Sequence, residues 1–263
     1  LKTRQSMLPL LTPESLLRFA HWIQRTPNLF VGEQPVVKLP PLHDKQLLDC
    51  CEYQGNTRLG FIYQTLWQRW LEQSPTFEVC ESELQLIDNK KTLGEIDFIV
   101  KNRINNQFEH WEVAIKFYLL QSDYWYGPNA IDRLDKKFTH MLERQLQHGQ
   151  SLFFKTRYPQ YPNLKLQLML QGRLYTNPFS DEPIPSHCAG WPLNSSQIDG
   201  HWCYKSQLHL VSDTLYFVPK PLWAIGLTEF NTPITTFPNQ PVHCQTQHGK
   251  FWFIVPDSWP HGS

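Results

Sequence analysis

Apolar and polar positions alternate most clearly in the middle of the chain, over Gly94-Glu95-Ile96-Asp97-Phe98-Ile99-Val100 and again from His110 to Leu119. Both runs are dense in β-branched and aromatic residues, and Lys101 to Gln107 between them is a polar turn, so the pattern predicts two antiparallel neighbouring strands. Period 2 along the second strand sends Glu112, Ala114 and Lys116 to one face and Trp111, Val113, Ile115 and Phe117 to the other. Phe77 to Ile87 and Leu164 to Tyr175 alternate in the same way and predict two further strands. Three segments carry helical spacing instead. Thr12-Pro13-Glu14 is an N-cap, a first-turn proline and a first-turn acid, followed by Leu16, Phe19, Ala20 and Ile23 up to Thr26-Pro27. A second helix is expected from about Asn56 to Gln73, with Leu59, Ile62, Tyr63, Leu66, Trp67 and Trp70 on one apolar face. A third is expected from Pro128 to about His148, burying Ile131, Leu134, Phe138, Met141, Leu142 and Gln145, with Gly149 as its stop.

The order helix, three strands, helix, strand predicts an α/β core with a mixed sheet. From Asn177 onward Pro, Trp, His and short apolar runs take over. Strands or irregular segments are expected over His209 to Val218, Pro221 to Leu227 and Phe251 to Val255. They form either a small appended β-rich domain or elements packed onto the core. Residues 31–43 are proline-rich and read as a connector lying over the main body.

Composition narrows the picture. The 263 residues suffice for a substantial core, and 10 Trp, 10 Tyr and 16 Phe argue for a well-packed globule. Lys+Arg and Asp+Glu balance at 24 each, which excludes a bulk electrostatic nucleic-acid binder; positive charge that meets phosphate must be concentrated locally. Six cysteines, at 50, 51, 80, 188, 203 and 244, include no Cys-x-x-Cys pair and no disulfide framework, which points to a reducing cytoplasm. The apolar patch within Leu1 to Leu11 is broken by Pro9 and too short for a signal peptide, and no run approaches the ~20 apolar residues of a membrane span. The expectation is a cytoplasmic protein that makes no use of a membrane.

The candidate chemistry lies on the first two strands. An isolated charge on a buried strand is costly and calls for a metal, an ion partner or a water-filled cleft. Asp97, Glu112 and Lys116 together suggest a cation-dependent site acting on phosphate; the other reading is a buried ion-pair network that holds the hairpin. Glu95 shares the Asp97 face. On the third helix Arg133, Lys137, His140 and Arg144 fall at i, i+4, i+7 and i+11, a line that could track a phosphate backbone, or a solvated face diluted by Asp132, Asp135 and Glu143. Three His/Cys pairs, His187-Cys188, His201 with Cys203, and His243-Cys244, lack the short knuckle spacing of structural zinc sites and read better as packing residues.

An acid on one strand followed by an acid-plus-lysine strand resembles the core of the PD-(D/E)XK, restriction-endonuclease-like, nuclease superfamily. The whole chain more closely resembles the 1853 family of bacterial domains of unknown function, assigned to that superfamily. The residues that carry the resemblance are Arg58-Leu59-Gly60 with Leu66-Trp67, Gly94 to Phe98, His110 to Tyr118, and Gly127-Pro128-Asn129 with Asp132, Leu134 and Lys137. Gly190-Trp191, Pro219-Lys220 with Leu222-Trp223, and Val255 to Pro260 complete the set. The resemblance implies a restriction-endonuclease-like core over 44–176, an N-terminal helical arm and connector over 1–43, and a β-rich C-terminal region over 177–263. It implies a Mg²⁺- or Mn²⁺-dependent nuclease acting on DNA or RNA. Asp97 and Glu112 would be metal ligands, Lys116 the partner of the attacking water, Gln64 an auxiliary ligand, and Arg133, Lys136, Lys137 and Arg144 contacts to nucleic acid. Two positions depart from the pattern. Ala114 stands where an acid usually precedes the lysine by two residues, which leaves Glu112 one pleat further away, about 13 Å from Lys116 between Cα atoms. Gln64 stands where many members carry an acid. Both departures keep a second function in view, a catalytically inactive nuclease-fold module that binds nucleic acid or protein.

Overall fold

The computed structural model describes residues 11–38 and 52–261; the expectations for Cys50, Cys51, the first ten residues and residues 39–43 fall outside these. Helix α1 spans Pro13–Arg25, and its start is closed by the reciprocal bonds of Thr12 and Ser15. Helix α2 spans Leu59–Gln73, starting at the first residue of its apolar stripe rather than at about Asn56. Asn56 is the reason: its side-chain oxygen accepts the Arg58 N–H at 2.9 Å, an Asx-type turn that holds the chain out of the helix until Leu59. The expected apolar stripe is buried, from Leu59 through Trp70.

The strands are β1 (Phe77–Asp88), β2 (Lys91–Asn102), β3 (Gln107–Gln121), β4 (Tyr124–Tyr126), β5 (Lys165–Thr176), the small hairpin β6 (His187–Cys188) and β7 (Trp191–Pro192), β8 (Ile198–Tyr204), β9 (Tyr216–Phe217), β10 (Val242–Gln245) and β11 (Phe251–Val255). One mixed sheet runs in the order β1-β2-β3-β5-β8-β11-β10-β9, with β4 added to the end of β3. The first three strands are antiparallel. β3, β5, β8 and β11 are parallel to one another. The C-terminal strands thus continue the same sheet, and Phe251, Phe253 and Trp202 share one core cluster with α1 and α2.

β3 is the central strand, and its two faces divide as its alternation predicts. Trp111, Val113, Ile115 and Phe117 pack under α1 and α2. Tyr118 and Leu120 pack on the opposite face with Leu134, Phe138 and Met141. α2 is fixed over the sheet by Gln171 of β5, which is fully buried. Its side-chain oxygen accepts from Tyr63 Oη (2.7 Å) and Trp67 Nε1 (3.2 Å), while its amide donates to the carbonyls of Ile23 (2.8 Å) and Thr26. Every polar valence of that amide is met, and α1, α2 and β5 are tied at one point. Gly172 follows it at φ +155°, paired with Lys116; a Cβ there would overlap the Lys116 carbonyl, so the bare residue lets β5 lie against the strand that carries the site.

One expectation is corrected, and two that were open between strand and irregular structure are decided. The third helix does not start at Pro128: residues 128–132 form a loop, α3 spans only Leu134–His140, and Met141–Gln145 continue it as a π-turn. Ile131, expected in the buried stripe, is 84% exposed because it belongs to that loop. Pro221 to Leu227 is no strand. It lies in a helical turn begun by the 3₁₀ segment Lys220–Leu222, whose following carbonyls are taken by arginines: Arg173 reaches those of Trp223 and Ala224, and Arg18 those of Ile225 and Gly226. Likewise His209 to Val218 is mostly non-strand: a 3₁₀ segment, Lys205–Leu210, occupies its start and only Tyr216–Phe217 pair with the sheet. Strands β8 and β10 lie outside the expected set, being short runs among His, Cys and Trp whose period is unclear. Among the described residues no helix is long and apolar enough to cross a membrane.

Candidate active site at the fork of β2 and β3

The β2–β3 ladder runs from Asn102↔Gln107 only as far as Phe98↔Trp111. Beyond that pair β2 stays with β1, down to Lys91, and β3 stays with β5, up to Leu119. The two strands therefore separate immediately after Phe98, and the first residues past the fork are Asp97 and Glu112. Their carboxylates replace the missing ladder bonds. Asp97 Oδ2 accepts the Val113 backbone N–H at 2.9 Å, and the Asp97 amide in turn stabilises Glu112.

Above the fork opens a cleft of about 710 Å³. Its floor includes Val113, Ala114 and Lys116 of β3, one wall is the start of α2 from Arg58 to Gln64, and the others come from Gly127–Asp132, Lys137 and the turn bearing Lys220 and Trp223. Among the lining side chains Arg58, Lys116, Lys137 and Lys220 are cationic and Asp132 alone is anionic. A chain of zero net charge thus concentrates positive charge at one place, as phosphate binding would require.

Gln64 points from α2 to the fork, its amide donating to Asp97 Oδ1 at 3.2 Å. Glu112 is fully buried, with Oε1 2.8 Å from His110 Nε2 and Oε2 accepting from the Gln145 amide at 2.7 Å. Lys137 donates to the Gln145 oxygen at 2.8 Å. In an α-helix residues eight apart lie about 80° apart around the axis. A π-turn inserts one residue and rotates the residues beyond it back by about 100°, to within about 20°. The π-turn over Met141–Gln145 is what puts Lys137 and Gln145 on one line.

Lys116 does not lean across Ala114 toward Glu112. Its ammonium donates to Asp132 Oδ2 at 2.6 Å, and Tyr118 Oη donates to the same oxygen at 3.2 Å. The expected cationic line on the third helix is likewise taken apart. Arg133 is clamped to Asp135 (2.5 and 3.0 Å) with its guanidinium 3.9 Å from the Tyr124 ring centroid, Lys136 and Arg144 face solvent, and Lys137 alone enters the cleft. The helix is too short, and its π-turn too sharp a change of phase, for four residues to stay in line. Glu95 faces solvent.

The electrostatics follow from the burial. Asp97 is held well above the carboxylate range, first by desolvation and then by the charge of Glu112. Desolvation pushes Glu112 up to about 8 and His110 down to about 4. Lys137 is lowered, first by burial and then by repulsion from Lys116. Two acids whose charges are unwelcome and a lysine that holds its proton loosely meet within one fork. Of these groups, His110 shares the Glu112 face by simple alternation and could have been found that way. Asp132 stood in the sequence as part of Gly127-Pro128-Asn129-x-x-Asp132, yet only the loop reveals its partner. Gln145 had no signal, since a π-turn leaves none in residue spacing.

The residues suit a hard divalent cation in donor type and in charge. Among the described residues no lysine or arginine lies within ion-pair distance of either acid, Lys116 being taken by Asp132 and the imidazole beside Glu112 being lowered to about 4, and two carboxylates with the amide oxygens of Gln64 and Gln145 are the kind of ligand Mg²⁺ accepts. They make a partial shell: among the described residues no group of three or more His, Cys, Asp and Glu side chains is arranged to hold a metal. Mg²⁺ ordinarily completes such a shell with water and substrate phosphate.

The fold and the fork define an α/β protein whose mixed sheet carries an acid pair beneath a basic cleft. The chain belongs to the family called domain of unknown function, DUF1853, whose family model matches residues 14–226, from α1 to the turn after Trp223. No curated protein and no solved structure matches it.

Proposed function

We propose that the cleft binds the phosphodiester backbone of a nucleic acid and that the fork below it hydrolyses that backbone with Mg²⁺ or Mn²⁺, as a variant of the PD-(D/E)XK arrangement in a restriction-endonuclease-like core. The observation that carries the reading is an acid pair that, among the described residues, no lysine or arginine meets. A structural ion-pair network would place Lys116 on Asp97 or Glu112; instead Lys116 is spent on Asp132, and both acids keep their protons because burial and mutual repulsion disfavour their ionised forms. Such tuned groups in a cleft mark functional sites more often than scaffolding.

Asp97 and Glu112 would hold the cation, with Gln64 and Gln145 able to turn their amide oxygens toward it. Bound there, a divalent ion would polarise the phosphate and lower the pKa of a water at neutral pH. The chain's own groups do the rest. Lys116 and Lys137 neutralise the phosphate charge that grows as water attacks phosphorus and the P–O bond to the leaving oxygen breaks. Lys137, with its proton loosened by burial, is the group placed to exchange a proton with the attacking water.

The test is cleavage of single- and double-stranded DNA and RNA with Mg²⁺ or Mn²⁺. Wild type should cleave at least one, and Asp97→Asn, Glu112→Gln and Lys137→Ala should each lower the rate by about 100-fold or more. Cleavage that survives Asp97→Asn and Glu112→Gln would remove the site. One observation favours the second reading, a binding module without chemistry: Glu112 has no exposed surface and both its oxygens are already bonded. Binding retained with no cleavage of any substrate would establish that reading instead.

A further inference from the structure

We infer that the strand received by the cleft is unpaired, with one base laid on the ring of Phe61. This rests on the reading of the cleft as a phosphodiester site. Four aromatic rings line the cleft. Three are engaged with other rings: Tyr63 meets Trp67 edge-on, and Phe117 and Trp223 meet each other edge-on at 5.6 Å. Phe61 makes no ring contact among the described residues, and is 44% exposed on the outer side of α2, one turn from the guanidinium-bearing Arg58 and adjacent to open space over Gly60. A lone exposed Phe is common on any surface. A lone exposed Phe on the wall of a cleft with four cationic side chains is the combination that binds single strands, where charge follows the backbone and a flat ring takes a base regardless of its identity.

The depth of the acids selects against a duplex. Asp97 is half-buried, Glu112 is wholly buried, and the cleft surface above them is formed by Gln64, Val113, Ala114, Lys116 and Lys137. A phosphate must descend past α2 to reach them. A duplex is stiff over about 150 base pairs and carries its phosphates on a convex surface, so it cannot dip one nucleotide into a cleft of about 710 Å³ without unpairing it. An unpaired strand bends at every nucleotide. The cleft volume is that of a small-ligand site, matched to a nucleotide unit rather than to a groove-reading helix.

The full chain would be titrated, with EDTA present to prevent cleavage, into fluorescently labelled 12-mers: oligo-dT, oligo-rU, an oligo-dT with abasic positions, and a blunt DNA duplex, read by polarisation at one fixed salt concentration. Wild type should bind at least one unmodified single strand about tenfold or more tighter than the duplex. Phe61→Ala should weaken that strand by about tenfold, leave the abasic strand unchanged, and be rescued by Phe61→Trp. The two sugars are separated by the oligo-dT and oligo-rU arms. Equal affinity for strand and duplex, or indifference to Phe61→Ala, would overturn the inference. If Lys137→Ala still weakens every nucleic acid in that case, the phosphodiester reading stands without it. If Lys116→Ala and Lys137→Ala change nothing, both fall together.

Discussion

Two buried polar centres lie within the central strands, and they are built on opposite principles. Gln171 on β5 is neutral, fully enclosed and completely bonded, with donors from Tyr63 and Trp67 and carbonyls from α1 meeting its one amide. The fork one strand away encloses Asp97 and Glu112, whose ionisation the protein resists. A satisfied neutral network fixes the relative placement of elements and repays its burial. A pair of repelling acids weakens the fold and persists only where something else uses it. The first centre therefore explains where α2 sits, and the second explains why Gln64 on that helix faces an acid at all.

The sharpest way to break this comparison is to replace each centre by a near-isostere. Gln171→Leu leaves the Tyr63 hydroxyl, the Trp67 indole N–H and two backbone carbonyls without partners in a closed core, at about 1–3 kcal/mol for each orphaned group. A loss of roughly 3 kcal/mol or more in chemical denaturation is expected. Glu112→Gln should cost less than about 1 kcal/mol or stabilise, since it removes the cost of protonating a buried acid on folding and keeps the shape. Equal losses for the two variants would mean that the fork is as structural as the hub.

The hub and the fork are not equally legible in the sequence. Period 2 on β3 separates its two faces and puts Glu112, Ala114 and Lys116 together; helical spacing marks the buried stripe of α2. Both depend on local geometry alone, which is why the folded chain keeps them. What local geometry cannot contain is the separation of β2 from β3, since it depends on β1 and β5 drawing the two strands apart. Asp97 is therefore recognisable as a misplaced acid but not as a wedge. The choice Lys116 makes between Glu112 and Asp132 depends on a loop that residue spacing alone reads as the first turn of a helix. The line of Arg133, Lys137, His140 and Arg144 fails for the same reason: spacing presumes a continuous α-helix, and a π-turn breaks the phase.

A smaller effect tests the fork through pH. The folded pKa of Glu112, about 8, and that of Asp97 both lie above their unfolded values, so the folded chain holds protons that the unfolded chain releases, and stability falls as pH rises through that window. His110, lowered to about 4, acts with the opposite sign below its unfolded pKa near 6.5. His148, His201 and His243 are lowered as well and act in the same sense as His110, fading above about pH 6.5, so the acid is read from a difference: between about pH 6.5 and 8 wild type should lose on the order of 2 kcal/mol relative to Glu112→Gln. Glu112→Gln should flatten that slope. Mg²⁺ or Mn²⁺ should flatten it too, because a cation that binds ionised acids stabilises more at pH 8 than at pH 6.5. Denaturation midpoints at the two pH values, with and without metal, give the answer, and a slope indifferent to both changes would show that the acids do not titrate as described.

The smallest effect concerns the pair that holds Lys116 away from the acids. Lys116 and Asp132 are each about one-third exposed, at 33% and 31%, so the bond contributes at most about 1 kcal/mol to stability. Asp132→Asn keeps an oxygen to accept from Tyr118 and removes only the charge. Stability should change by less than about 1 kcal/mol, while the ammonium becomes free to meet a phosphate. Affinity for a nucleic-acid strand should then rise several-fold at low salt, and the slope of log affinity against log salt should steepen by about one unit, the signature of one further phosphate contact. A drop in affinity would instead assign Asp132 the task of aiming Lys116 at the phosphate. The acid that lines the cleft would then belong to the same site as the two beneath its floor.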